Sequence, residues 1–394
     1  MEDKKIRVAI THGDTNGIGY ELIFKTFDDP AMLELCTPII YGSPKAAVYH
    51  RKVLNLNTQF TIINSANEAK DGRINLLTTY EEETKIDLGQ ATPESGTAAL
   101  KALDKAMSDF REEAYDVLVT APINDSNIKV EGYPFPGDTQ YLETCIGEGK
   151  KALVILVNEQ IRLACLTEGM NIKDVPAAIT QENVEEKTRL FFNTLRRDFR
   201  ISNPRIAILA LNPQTSENGK FGKEEENAII PAIKELADQG VEAFGPYPAE
   251  DFFGNGEFTA FDGVMAMYHD QGFAPFKALS PDYGVIYNAG LPLIATASDQ
   301  TTGYDKAGKD LEDPNNFRHA IYLAIDAFRN RTQYDEAGVH PLGKLYHEKR
   351  DESEKSRFGI PKKHSNTPFP DKKPSTASTT KEDHQNTAPT QTTE

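Results

Sequence analysis

A chain of 394 residues carrying a formal charge of −17 is longer than a single hydrophobic core usually organises, so two domains are the first expectation. The acidic excess argues against nucleic-acid and anionic-membrane partners, whose phosphates would repel it, and no apolar run approaches the roughly twenty residues of a membrane span. Cys36, Cys145 and Cys165 are odd in number and far apart, which argues against a disulfide framework or a cysteine-based zinc site and for a reducing cytoplasm.

In chain order, Met1 to Lys5 runs straight into Ile6-Arg7-Val8-Ala9-Ile10, which reads as a first strand and not as the apolar part of a signal peptide. The loop Thr11-His12-Gly13-Asp14-Thr15-Asn16-Gly17-Ile18-Gly19 follows. Its glycines permit a tight turn with the backbone close to a ligand or to another segment, but it lacks the G-x-G-x-x-G spacing of a dinucleotide fingerprint. Residues 94–110 form an Ala-, Leu- and Lys-rich helical pattern. Val117–Thr120 reads as a strand ending in Thr120-Ala121-Pro122-Ile123-Asn124. The stretch from Gly132 to Tyr141, which contains Asp138 and Thr139, is longer than a connection needs and is expected to face a substrate.

Two apolar runs around Asn158-Glu159-Gln160 lie too close for a crossover helix and should form an antiparallel hairpin. Thr180 is placed to cap a helix whose Val184, Phe191, Leu195 and Phe199 share a face opposite Glu185, Glu186, Arg196 and Arg197. Ile206–Leu211 and Val264–Tyr268 read as further strands. This alternation predicts an α/β fold with a mainly parallel sheet and helices on both faces. Residues 333–361 read as a short C-terminal extension. From 362 to 394 the chain has almost no apolar residue and is expected to be a disordered tail.

The most informative string is Tyr268-His269-Asp270-Gln271-Gly272, with Lys277 eight residues after the histidine. An imidazole at a strand's carboxyl end can ligate a metal or move a proton, Asp270 can join or orient it, and a lysine can hold a phosphate or carboxylate. The alternative is a packed histidine beside a strand end. Leu211-Asn212-Pro213-Gln214 places an amide at another strand end, where a turn role for Asn212 is the alternative. Ser298-Asp299-Gln300-Thr301-Thr302-Gly303 and Ala307-Gly308-Lys309 form a polar loop before the last helix. A kinase-type phosphate loop, G-x-x-x-x-G-K-[ST], is absent.

Taken in order, G-D-x-x-G-I-G-x-E, V-T-A-P-I-N, G-Y-P-F-P-G, L-N-P, Y-H-D-Q-G with its lysine, and G-L-P resemble the 4-hydroxythreonine-4-phosphate dehydrogenase family, PdxA, from about residue 6 to 330. The resemblance implies two α/β/α domains of the isocitrate and isopropylmalate dehydrogenase kind. The first would comprise 1–130 with 285–332 and the second 131–284, in a homodimer with the active-site cleft between domains. It implies NAD-dependent oxidation and decarboxylation of 4-phosphohydroxy-L-threonine or a related phosphorylated hydroxy acid, in vitamin B6 (pyridoxal phosphate) synthesis.

On that resemblance His269, Asp270 and Lys277 are catalytic. Asp138, Thr139, Lys277 and Asn288 bind substrate, and Asn212, Asp299, Gln300 and Gly308 bind NAD. The chain departs from the family at Asp138, Gly169, Gln214, Ile286, Ala295 and Gln300. A three-histidine zinc site therefore cannot form, and a site of His269 with Asp138, Glu168 and Asp270 would suit magnesium or manganese. The competing reading is a repurposed homologue that binds a small ligand or partner.

Overall fold

The computed structural model of the chain describes residues 5–80, 85–128, 138–280 and 283–339. The Gly132–Gly137 loop, the extension beyond Val339 and the polar tail lie outside the described residues. So does the second of the two units into which the chain divides, Pro341–Glu394.

The strands are β1 (Ile6–Thr11), β2 (Cys36–Gly42), β3 (Phe60–Ile63), β4 (Ile74–Thr78), β5 (Val117–Thr120), β6 (Leu153–Val157), β7 (Arg162–Thr167), β8 (Ile206–Leu209), β9 (Ala243–Tyr247), β10 (Gly263–Tyr268), β11 (Val285–Ala289) and β12 (Ile294–Ser298). The helices are α1 (Gly19–Phe27), α2 (Pro30–Leu35), α3 (Pro44–Val53), α4 (Pro93–Arg111), α5 (Asp138–Ile146), α6 (Val175–Ala178), α7 (Gln181–Arg197), α8 (Ile230–Asp238), α9 (Ala249–Gly254), α10 (His269–Leu279) and α11 (Asn315–Val339).

Local chemistry sets several boundaries. Thr92 accepts from the Ser95 N–H and Pro93 follows it, so α4 starts with a capping box and a pre-set φ. Thr180 accepts from the Asn183 N–H at 3.2 Å, as the sequence predicts, and Val184, Phe191 and Leu195 are buried. Phe199 lies beyond the helix end and packs edge-on to Tyr287 at 5.3 Å instead of completing the helical face. β8 stops at Leu209, short of the predicted Leu211, where Ala210 N donates to Tyr247 O and its carbonyl accepts from the Gln271 side chain. The last helix runs through residue 332 to Val339.

All of these strands form one sheet in the order β3-β4-β2-β1-β5-β12-β11-β6-β7-β10-β8-β9. Most neighbours are parallel, which gives the predicted mainly parallel α/β class. β6 and β7 form the predicted antiparallel hairpin. β11 is antiparallel to both β12 and β6. Three successive antiparallel pairings reverse the chain, so β7, β10, β8 and β9 run opposite to β1, β5 and β12. The carboxyl ends of these two groups therefore leave from opposite edges of the sheet.

Alternate residues divide the core between two faces, as a pleated strand requires. Val8, Ile10, Val117, Ile155, Ile208 and Met265 belong to one cluster that continues across both halves of the sheet. The other face carries two separate clusters. One is built around Ala9, Leu118 and Ala295, the other around Leu163, Leu209, Val264 and Phe276.

Candidate functional site

The His269 edge is built first from backbone chemistry. β10 ends at Tyr268, and His269 and Asp270 occupy the first turn of α10, where a negative side chain is favoured by the helix dipole. His269 Nδ1 lies 2.8 Å from Asp270 Oδ1, and the ring stacks on Phe273 with centroids 3.9 Å apart. Both polar groups are exposed. Gln271 fixes the base of this turn by accepting from Met267 N at 2.6 Å and donating to Ala210 O at 2.7 Å, which ties β10 to β8.

Asn212, predicted at the cofactor, spends its groups on structure. Its N–H donates to Glu225 Oε1 at 2.8 Å, and its Nδ2 donates to Glu224 Oε2 at 2.7 Å and to Glu225 Oε2 at 2.9 Å. Gln214 is exposed in the following turn. Glu168 is exposed after β7, and Gly169 takes φ +66° with open space where a side chain would stand. Thr139 Oγ1 donates to Asn288 Oδ1 at 2.8 Å, which joins two predicted substrate residues across α5 and β11. Ile286 is half-buried opposite Leu156 and Ala297, and Ala295 is fully buried. The side chain of Asp138 lies outside the described residues.

Lys277 belongs to the other edge. It is in the last turn of α10, about 12 Å along the helix axis from His269 at 1.5 Å per residue. Its Nζ lies 2.5 Å from Asp299 Oδ2 and donates to Asp299 O at 2.8 Å. Burial pushes the Asp299 carboxyl up, and Lys277 partly offsets that shift. A predicted substrate lysine and a predicted cofactor aspartate are thus brought together, while His269 and Lys277 sit at opposite ends of one helix.

Beside this pair is a cavity of about 580 Å³ lined by Asp299, Gln300, Gly303, Lys306, Glu312 and Asn316, among others. Gln300 Nε2 donates to Glu312 Oε2 at 3.1 Å, which leaves Gln300 Oε1 as a buried acceptor with no partner. Such an atom suits a ligand N–H or O–H. Gly308, at φ +74°, holds a left-handed backbone conformation that favours glycine.

Among the described residues, no three His, Cys, Asp or Glu side chains gather to hold a metal ion. His269 and Asp270 offer two donors on one turn, and Gln214 and Gly169, where the family resemblance would put histidines, bring no imidazole. His269 and Asp270 alone do not complete a metal site, and the Asp138 side chain expected to join them lies outside the described residues. Sequence reasoning missed Lys187, whose Nζ donates to Leu166 O at 2.7 Å near the end of β7 and whose pKa burial lowers. It also missed Glu312, Lys306 and Asn316 in the cavity wall. A lone lysine in an amphipathic helix and polar residues in a loop carry no spacing that marks them beforehand.

Among the described residues, no helix is long and apolar enough to cross a membrane. The family described as Pyridoxal phosphate biosynthetic protein PdxA matches residues 34–324. A 4-hydroxythreonine-4-phosphate dehydrogenase of Bacteroides thetaiotaomicron is 50% identical over 358 residues, which cover 91% of this chain and 98% of that protein. A D-threonate 4-phosphate dehydrogenase of Cupriavidus necator is 32% identical over 324 residues, covering 82% and 97%. The crystal structure of a 4-hydroxythreonine-4-phosphate dehydrogenase from Klebsiella pneumoniae, 27% identical, matches with a TM-score of 0.71 over 83% of this chain and 99% of that one. The order of motifs, the reversing sheet and these relatives, which are dehydrogenases, lead to one conclusion: this chain belongs to the PdxA family.

Proposed function

We propose that this protein is a cytoplasmic, homodimeric, NAD-dependent dehydrogenase of a small phosphorylated hydroxy acid. The substrate would be 4-hydroxythreonine-4-phosphate or a relative such as D-threonate 4-phosphate, with oxidation followed by loss of carbon dioxide, as in pyridoxal phosphate synthesis. The observation that carries this reading is the cavity at the Asp299–Gln300 loop, joined to the Lys277 end of α10. Bound NAD would supply the hydride acceptor. The split of one sheet face into two core clusters supports a division into 1–130 with 285–332 and 131–284.

Substrate would lie along α10 towards Thr139, Asn288 and His269. The Asp270 carboxylate accepts the His269 Nδ1 proton, a tautomer assigned from the hydrogen-bond partner, and this leaves the Nε2 lone pair to take the hydroxyl proton of a secondary alcohol. Phe273 fixes the plane of the ring. Lys277, held by Asp299 at the far end of α10, presents an ammonium to an anionic group.

An NADH absorbance assay with 4-hydroxythreonine-4-phosphate, with and without added magnesium or manganese, tests the reading. Turnover should fall by at least about a hundredfold in His269→Ala, and protein purified without added metal should contain little zinc by elemental analysis. Stoichiometric, tightly held zinc would contradict the donor set. Absence of turnover under every metal, together with no NAD binding by calorimetry, would favour the second reading, a ligand-binding homologue. Gln214, Gly169, Ile286 and Ala295 are the residues that speak for that alternative.

A further inference from the structure

Three loops beside the cavity meet on one buried carboxylate. Asp14, after β1, is 1% exposed. Its Oδ1 accepts from the Asn16 N–H at 2.8 Å, and its Oδ2 accepts from Ser95 Oγ at 3.0 Å, Asn127 Nδ2 at 2.7 Å and the Tyr304 hydroxyl at 2.9 Å. All of these donors are neutral, so hydrogen bonds hold the charge and each matters more than one between neutral groups. The Tyr304 hydroxyl also accepts from Asn124 Nδ2 at 3.1 Å. Asn124 and Asn127 belong to the segment after β5, which leads into the expected substrate loop, and Tyr304 belongs to the loop after β12.

Tyr304 sits between two residues that line the cavity, Gly303 and Asp305, while its own ring turns away to Asp14. The backbones are also in register: Asp14 N donates to Pro122 O at 2.9 Å and Ile18 N to Thr302 O at 3.1 Å. The loop after β12 and the segment after β5 are thus joined through the loop after β1.

Resting on the reading that this cavity takes NAD, we propose that Tyr304 is a positioning residue that couples occupancy of the cavity to the arrangement of residues 121–128 through the Asp14 carboxylate. A ligand that seats residues 303–305 fixes the hydroxyl, and the hydroxyl fixes Asn124 and completes the shell of Asp14. The second ligand then meets a segment that is already ordered, and linkage makes the effect reciprocal.

Calorimetric titration of the full chain with NADH, which cannot accept a hydride from the substrate and so forms a non-reacting ternary complex, with and without saturating 4-hydroxythreonine-4-phosphate, reads the coupling. In the wild type each ligand should tighten the other by about tenfold, the effect of one hydrogen bond to a charged group. Tyr304→Phe keeps the ring and should bring that factor close to one while leaving NADH affinity alone nearly unchanged. Asn124→Ala, which removes the other end of the contact, should also lower it, and this variant decides the matter if Tyr304→Phe fails to fold. An unchanged factor in the variants, or no coupling in a wild type that binds both ligands, overturns the proposal and leaves the dehydrogenase reading standing. A wild type that does not bind NADH overturns both.

Discussion

Thr215 sits in a left-handed run of the turn after β8. From Gln214 to Asn218 every φ is positive, between 41° and 71°, and none of these residues is glycine. A left-handed conformation costs about 1–2 kcal/mol per non-glycine residue, and most for a β-branched one. After allowance for the extra freedom of glycine in the unfolded chain, Thr215→Gly should raise stability by about 0.5–1 kcal/mol in urea denaturation. A loss of stability would mean that the Thr215 side chain contributes more than its backbone strain removes.

Lys277 poses a similar question about role. Its side chain is 45% exposed and that of Asp299 only 12%, so Lys277→Ala should cost little in lost ion pairing but leave a largely desolvated carboxylate behind. We expect a weaker response to the phosphorylated substrate and a fall in stability of about 1 kcal/mol. Adding Asp299→Asn should recover the stability and not the anion affinity. Recovery of both would make Lys277 a structural partner of Asp299 and nothing more.

Among elements, the packing of β1, α1 and α3 has the clearest pH signature. His12 follows β1 and stacks on Tyr20 of α1 with centroids 5.2 Å apart, and His50 of α3 lies 2.8 Å from Thr15 O. Burial lowers both imidazoles to about 4. The unfolded side chains titrate near 6.5, so between those pH values the unfolded state binds more protons. Stability is then fully present above about 6.5 and is lost as pH falls towards 4, by on the order of 3 kcal/mol for each histidine. The urea midpoint should drop markedly between pH 7 and pH 5, and His50→Gln, which keeps a donor for Thr15 O, should flatten that dependence. Equal midpoints at both pH values would show that these imidazoles are not neutral and buried.

Element boundaries were legible wherever the cue is local. Thr180 and the spacing of Val184, Phe191 and Leu195 are sufficient for α7, and the short Asn158-Glu159-Gln160 link is sufficient for the β6–β7 hairpin. Leu211 was not legible as a non-strand residue, because what ends β8 is a side chain from α10.

Across the whole molecule, one buried guanidinium ties the last helix to the sheet. Arg331 of α11 reaches Asp198 with two bonds of 2.8 Å, Leu291 O at 3.1 Å, Pro292 O at 2.9 Å and the Tyr287 hydroxyl at 3.2 Å. Every one of its partners is remote in sequence. Arg331→Met should cost about 3–5 kcal/mol in thermal or chemical unfolding, because the Asp198 charge stays buried without its partner. Arg331→Met with Asp198→Asn should recover much of that loss. If the single change costs under about 1 kcal/mol, the pair is not desolvated as described.

The sequence alone determined the α/β class, half of the described strands, the α7 cap and, through motif order, the family, because these depend on short-range periodicity and on residue types at fixed spacing. It placed Thr139 and Asn288 in one function, and the fold puts them 2.8 Å apart. Only the tertiary structure decided which strand ends share an edge. The resemblance makes His269 and Lys277 catalytic together, but three antiparallel pairings reverse the sheet and α10 carries the lysine to the far edge, against Asp299. Strand direction is fixed by long-range hydrogen bonding, and no local pattern encodes it. The convergence of Ser95, Asn127 and Tyr304 on Asp14 was hidden for the same reason: each donor comes from a different element, and only the folded chain brings them to one carboxylate.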